Sequence, residues 1–388
     1  MSDESDVIGH GRRRFLVQAS ATTPKEQDPE LSLQDKGQSI TTTTTSPTQF
    51  QSSLTLLEHV NLNVPNHDKI LDFYFRVLGC GLDPRKASNL RPTATKKTIW
   101  ANAGATQFHL PYGDVGQAIR GHIGLRLHDL EALRLALERY PECYESYSVD
   151  GECVKIVDCY GNHFYCRQES PQSISQSVPR LAQDWLQPVI RQDDTAEWGD
   201  IATRYGVLND SGADNQNSTN CLGLDYMEFH VPMGTADAIA KFYETIFGAT
   251  TSVVTTTPDG DAIAIVALGT ISPEGRADQS LLFREVSSNE PPYDGHHICL
   301  YVGTTANDFE RAFEKCDAAG VVWVNPRFSD KVTTLDGARQ ECQFRFKDLI
   351  NVETTGNEVL YELEHEVRSV EHPSFPGPRE FVKSLSLE

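Results

Sequence analysis

The feature that most constrains the fold of this chain is an internal repeat. Glu58-His59-Val60-Asn61-Leu62-Asn63-Val64-Pro65 leads into a helical pattern that closes Phe73-Tyr74-Phe75-Arg76-Val77-Leu78-Gly79. Asp225-Tyr226-Met227-Glu228-Phe229-His230-Val231-Pro232 leads into another, closing Phe242-Tyr243-Glu244-Thr245-Ile246-Phe247-Gly248. Both helices place apolar residues at helical spacing: Ile70, Leu71, Tyr74, Val77 and Leu78, then Ile239, Phe242, Tyr243, Ile246 and Phe247. A glycine follows each as its C-cap. Halfway through each copy comes a second matching strand, His122-Ile123-Gly124-Leu125-Arg126-Leu127 and His297-Ile298-Cys299-Leu300-Tyr301-Val302. Each leads to a helix, near 129–140 and 307–319, and each copy closes with Gly-Asn and a strand. The closing strands are Gly161-Asn162-His163-Phe164-Tyr165, and Gly356-Asn357 running to Leu360-Tyr361-Glu362-Leu363-Glu364. The chain thus reads as four successive units of strand, helix and further strands.

Two histidines stand out within the repeat. A strand sends alternate side chains to opposite faces. His59 therefore shares a face with Asn61 and Asn63, and His297 with Cys299 and Tyr301. Val60, Leu62, Ile298 and Leu300 take the other face, under helices. Imidazoles on the open face of a sheet suit a metal site.

The rest of the 388 residues sets bounds on this reading. Residues 1–52, with the threonine run Thr41 to Thr45, lack a hydrophobic period and read as a disordered tail. Residues 54–168 form the first module and 221–368 the second. The polar stretch 169–220 joins them, with a short helix around Leu181 to Ile190, and 369–388 is an extended tail. A net charge of −21 argues against nucleic acid or an anionic membrane as partner. No apolar run approaches the roughly 20 residues of a membrane span. Nine cysteines without a Cys-x-x-Cys pair read as reduced, mostly buried thiols, hence a cytoplasmic protein. Arg12-Arg13-Arg14-Phe15-Leu16 matches a twin-arginine export signal only in its arginines, because the following residues are too short and polar for a signal core.

The order and repetition of these motifs resemble the vicinal oxygen chelate superfamily: glyoxalase I, extradiol ring-cleavage dioxygenases, and fosfomycin- and bleomycin-resistance proteins. The carrying features are the opening strand ending Val-Pro, the Phe-Tyr…Leu-Gly or Phe-Gly helix, the His-Ile strand and the closing Gly-Asn strand. The resemblance implies an α+β fold of paired βαβββ units in curved, mixed but mostly antiparallel sheets. It also implies a divalent metal (Zn, Fe, Mn, Ni or Co) held by the first, middle and last strands around a cavity.

Carried over position by position, the implied ligands are His59, His122 and Tyr165 in the first module and Tyr226, His297 and Glu362 in the second. Gln107 matches a fourth position, and His109 lies on the same face. Neither module completes a site alone. The family also pairs the first half of one module with the second half of another. That exchange joins His59 with His297 and Glu362, leaving Tyr226, His122 and Tyr165 as a degenerate set. Glu364 has the same strand parity as Glu362, so either is admissible as ligand; Gln107, His109 and Glu364 are the candidate catalytic groups. His230 and Glu228 share the face of Tyr226, and Arg126, Arg327 and Arg345 are candidates to hold a substrate anion.

The implied function is a metal-dependent, glyoxalase-like lyase or isomerase acting on a small oxo compound. An Fe(II)-dependent ring-cleavage dioxygenase and a non-catalytic small-molecule-binding module are the alternatives. The expected partner is a small molecule, and the chain reads as a monomer or homodimer.

Overall fold

A computed structural model describes residues 50–169 and 220–376, apart from 84, 87–88, 90–97, 256–260, 274, 288–289, 304–306 and 355. All of them lie in the unit Ser32–Glu388. Three of the four units have the order strand, helix, three strands. After a short β1 (Phe50–Gln51), the first holds β2 (Leu54–Asn61), α1 (His67–Asp72) running into a π turn (Phe73–Val77), β3 (Gly81–Leu82), β4 (Thr98–Ala103) and β5 (Thr106–Pro111). The second holds β6 (Gly121–Leu127), α2 (Leu130–Arg139), β7 (Tyr144–Asp150), β8 (Cys153–Asp158) and β9 (His163–Gln168). The third holds β10 (Cys221–Pro232), α3 (Ala236–Phe247), β11 (Thr251–Thr255), β12 (Ala262–Ile271) and β13 (Ala277–Val286). The fourth departs from this plan. It holds β14 (His297–Val302), α4 (Asp308–Ala318), α5 (Leu335–Glu341), β15 (Gln343–Ile350) and β16 (Val359–Ser369). Its missing strand survives as one antiparallel bridge, Val322 to Phe346.

The helices start and stop where their chemistry dictates. Asn66 caps α1 by accepting the Lys69 N–H, and Asp129 caps α2 by accepting from Glu131 and Ala132. Gly248 ends α3 in the left-handed region, at φ 67°. The inner face of α3 buries Ile239, Phe242, Tyr243, Ile246 and Phe247. Burying each such side chain contributes roughly 1.5–3 kcal/mol, which seats the helix on its sheet.

The sheets are built by exchange. The nine-stranded sheet runs β1-β12-β13-β10-β6-β9-β8-β7, with β11 on β12; the seven-stranded sheet runs β15-β16-β14-β2-β5-β4-β3. The first therefore joins the opening half of the second module to the closing half of the first. The other sheet joins the remaining halves. Each has an antiparallel cross-module seam at its centre, β10–β6 and β2–β14, with parallel pairs on either side. The Gln279 side chain ties the sheets together: its amide accepts from Leu57 N–H and donates to the carbonyls of Leu57 and Leu224.

Three boundaries differ from the sequence reading. Residues 50–52 are not tail: Phe50 and Gln51 pair with Ile271 and Thr270, and the Ser52 hydroxyl donates to the Ala267 carbonyl. Three residues carry too little periodicity to announce an edge strand. At the other end Phe375 is buried and packs on Tyr301 at 4.9 Å between ring centroids, so the chain stays ordered past Ser369. Glu169, placed in the linker, is buried beside Arg126. The remainder of the expected tails and linker, including the helix around Leu181 to Ile190, lies outside the described residues.

Candidate metal centre

The seven-stranded sheet brings the two histidines together. His59 on β2 pairs with Cys299 on β14, and His297 pairs with Asn61, so the imidazoles stand on one face two residues apart across the seam. Their ring centroids are 5.7 Å apart. Their partners on the helix side, Val60, Leu62, Ile298 and Leu300, are buried as alternation requires.

A β-bulge adds a carboxylate. The register jumps from Cys299–His59 to Leu300–Leu57, which leaves Glu58 as the extra residue. It is thereby turned toward the same buried region, and its Oε2 lies 2.5 Å from His59 Nδ1. A carboxylate only accepts, so Nδ1 carries the proton and Nε2 presents a lone pair. His59 Nε2 is buried and has no hydrogen-bond partner, as is His297 Nδ1. Imidazole held from behind by a carboxylate is the usual orientation of a metal-bound histidine.

The third converging group is Glu366, on β16. Its Oε2 lies 4.0 Å from His59 Nε2 and 3.7 Å from His297 Nε2. One donor atom from each of the three lies within 4.8 Å of the others, all buried. Both oxygens of Glu366 are also held by guanidiniums, Arg368 at 2.5 Å and Arg345. Burial works against its ionisation, but Arg368, Arg345 and the two histidines hold its carboxyl well below the usual carboxylate range. A carboxylate offers about four lone-pair sites, so each oxygen keeps one beyond its arginine. Arg345 also pairs with Glu364 at 2.9 Å and Asp330 at 2.6 Å, and Arg368 with Glu58 at 3.1 Å. In this contact set four carboxylates face two guanidiniums, an excess of two negative charges. A divalent cation would balance it. The unpaired Nε2 of His59, the Nε2 of His297 facing the same carboxylate and that excess of negative charge fit such an ion, and the 2-His-1-carboxylate donor set suits Fe(II) as well as Zn.

The other predicted groups take different places. Glu362 does not join the histidines: it is exposed and pairs with Lys347. The carboxylate that converges on the histidines lies four residues further on, at Glu366. Register shows why: Tyr165 pairs two residues beyond His122, with Gly124, and the matching partner of Cys299 is Glu366. The β15–β16 hairpin is longer than its counterpart, and parity alone does not separate Glu362, Glu364 and Glu366. Glu364 is buried, with both oxygens accepting from Asn325 and one from Arg345. Gln107 sits beside His59 in register, but its Nε2 donates to Asp83 and Asn102 and its Oε1 meets His109 Nε2 at 3.1 Å. His109 lies between the His59 ring (3.7 Å) and the Trp100 ring (4.3 Å). Burial, followed by the neighbouring His59 and Arg368, pushes its pKa well below the ordinary histidine value. Of the candidate arginines, Arg345 belongs to the centre, Arg327 donates to Asn63, and Arg126 lies between Glu169 and Asp225.

The left-over set meets on the nine-stranded sheet. His122 Nε2 lies 3.0 Å from the Tyr226 hydroxyl, and its ring stacks on Tyr165 at 3.9 Å. The bulge recurs, with Asp225 as its extra residue. A Cβ on Gly124, the counterpart of Cys299, would fall 2.2 Å from the Tyr226 ring, so the tyrosine needs that glycine. Glu228 takes a two-pronged pair from Arg284 at 2.8 and 2.9 Å, and flanks His122 and His230. The Tyr226 hydroxyl is thus paired with His122, and Glu228 with Arg284.

Residues 223–349 match the model of the Glyoxalase/Bleomycin resistance protein/Dioxygenase superfamily. Among solved structures the fold is similar to a putative dioxygenase from Bacillus subtilis, at 12% identity and TM-score 0.46 over 84% of this chain and 88% of that one. It is also similar to glyoxalase I from Zea mays, at 14% identity and TM-score 0.46 over 86% and 96%. A third is the 2,2',3-trihydroxybiphenyl 1,2-dioxygenase of Sphingomonas wittichii, at 12% identity and TM-score 0.26 over 81% and 90%. No curated protein matches the chain. The family match thus falls within the second module, on residues 223–349.

Proposed function

We propose that this protein is a metal-dependent enzyme in which His59, His297 and Glu366 hold one divalent ion, and that its chemistry is of the Fe(II) dioxygenase type. The observation that carries this reading is the convergence of two imidazoles and one carboxylate from the two modules, within 4.8 Å and buried. Two histidines and one carboxylate leave coordination positions open and match the facial triad of non-haem Fe(II) oxygenases. Gln107 is engaged by Asp83, Asn102 and His109, which argues against a fourth protein ligand. Either chemistry needs a group that moves protons beside the substrate. Glu364 is a poor candidate, because Asn325 and Arg345 occupy its oxygens.

When bound, the ion supplies Lewis-acid polarisation of a substrate oxygen and, as Fe(II), redox chemistry with dioxygen. The chain supplies the rest. Glu58 fixes the His59 ring and its tautomer. Arg345 and Arg368 keep Glu366 ionised in a buried setting. Phe328 lies edge-on to His297 at 5.3 Å and helps exclude water. His109 is placed to handle a proton at Nδ1, since Gln107 occupies its Nε2. The substrate is a small molecule with adjacent oxygen functions, of which catechols are the simplest. The test is oxygen uptake by protein loaded anaerobically with Fe(II) and given a panel of catechols. Uptake that disappears in His297→Ala is the expected result. Oxygen-independent turnover of a hemithioacetal, with no uptake on any catechol, would replace this reading with the lyase or isomerase.

A further inference from the structure

We propose a second small-molecule site, free of metal, in a cleft between the ends of β10 and β13 and the start of β16, selective for a small organic carboxylate with an apolar body. The cleft encloses about 550 Å³ and includes neither His59 nor His297 among its lining residues. One wall is Val359 to Glu362, part of the extra length of the β15–β16 hairpin. That extension therefore has a use apart from the metal centre.

The charges in the cleft are unevenly matched. Glu290 lies 3.4 Å from His230, and Glu362 pairs with Lys347. Arg120 has no carboxylate partner among the described residues. Its Nη2 donates to the Glu362 carbonyl at 3.1 Å, and its Nε is buried without an acceptor. The guanidinium lies over the Tyr361 ring, 4.4 Å from the centroid, which orients its plane. Tyr361 is 4% exposed, and its hydroxyl lies beside the same guanidinium. A guanidinium held by a backbone carbonyl but by no carboxylate calls for a negatively charged acceptor, and a carboxylate matches a guanidinium edge in shape and charge. Pro232, Met233, Val286 and Leu360 supply the apolar lining, and Met233 is 45% exposed.

The test is calorimetric titration of the full chain with benzoate and with the neutral isostere benzamide. Benzoate is expected to bind at least ~10-fold more tightly, the order of one charge-assisted pair. Arg120→Gln removes that preference, and Met233→Trp fills the cleft and blocks both compounds. His59→Ala leaves benzoate binding intact. Equal binding of the two compounds, or none of either, overturns the proposal. So does a preference that survives Arg120→Gln, or one lost in His59→Ala, which would put the anion at the histidine pair. Thermal melting shows whether Arg120→Gln folds, and if it does not, Met233→Trp decides the question.

Discussion

The two sheets are the same device built with different donors. Each has a central antiparallel seam joining the modules, a bulge with an acidic residue, an aromatic or imidazole ring just after it, and a histidine opposite. On the seven-stranded sheet these are Glu58, His59 and His297, and on the nine-stranded sheet Asp225, Tyr226 and His122. The difference lies in who satisfies whom. The Tyr226 hydroxyl meets His122 Nε2 at 3.0 Å. His59 Nε2 is buried with no partner. A shared backbone therefore yields a paired histidine and tyrosine on one sheet and an imidazole nitrogen without a partner on the other. Ligand capacity here follows from unpaired lone pairs, not from fold.

Substitutions at equivalent positions sharpen this contrast. The largest effect is expected at Glu366, whose removal takes a buried acceptor from the Nη2 of both Arg345 and Arg368. Glu366→Ala is predicted to cost about 3–5 kcal/mol in urea unfolding. Its counterpart Tyr165→Phe keeps the ring stack on His122 and is predicted to cost at most about 1 kcal/mol. Equal costs would show that the sheets are not functionally distinct.

Next comes a pH dependence belonging to the nine-stranded sheet. Burial opposes ionisation of Glu228, but hydrogen bonds from His230 and Arg284 and the charge of His122 outweigh it, pulling its pKa down to about 2 from 4.5. A depressed carboxylate stabilises the fold above its unfolded pKa, and that contribution fades as pH falls toward the folded one. The unfolding free energy of wild type minus Glu228→Gln is thus predicted to hold at roughly 3 kcal/mol above pH 4.5 and shrink to nothing near pH 2. A gap that does not narrow on acidification contradicts the pairing.

A smaller effect falls on the bulge residues. Glu58→Gln removes the carboxylate behind His59 and is expected to weaken metal binding about 10–100-fold in a competition titration with a chromophoric chelator. Asp225→Asn leaves it unchanged. The smallest concerns Glu362, the ligand expected from sequence. As a surface partner of Lys347, Glu362→Ala is predicted to change stability by at most about 1 kcal/mol and metal content not at all.

Most of the architecture was legible because it was written twice. The repeated Val-Pro strands, Phe-Tyr helices and Gly-Asn turns fix four units, and two half-complete ligand sets point to exchange between modules. Three things were hidden for physical reasons. Alternation assigns Glu362, Glu364 and Glu366 to one face but says nothing about how far along a long strand the ligand falls. That distance is set by hairpin length, and the fourth unit has lost a strand and gained α5. The bulge at Glu58 leaves no composition signal, although an acidic residue precedes the ligand position in both copies. The unpaired imidazole nitrogens and the occupied amide of Gln107 differ only in their neighbours, among them Asp83 and Asn102, which sequence distance conceals.

Metal stoichiometry tests the central claim most directly. Elemental analysis of reconstituted wild type, His59→Ala, His297→Ala and His122→Ala is predicted to give one divalent ion per chain for the wild type and for His122→Ala, and close to none for the other two. A full equivalent retained by His59→Ala, or an ion lost with His122, would contradict a single centre shared between the modules.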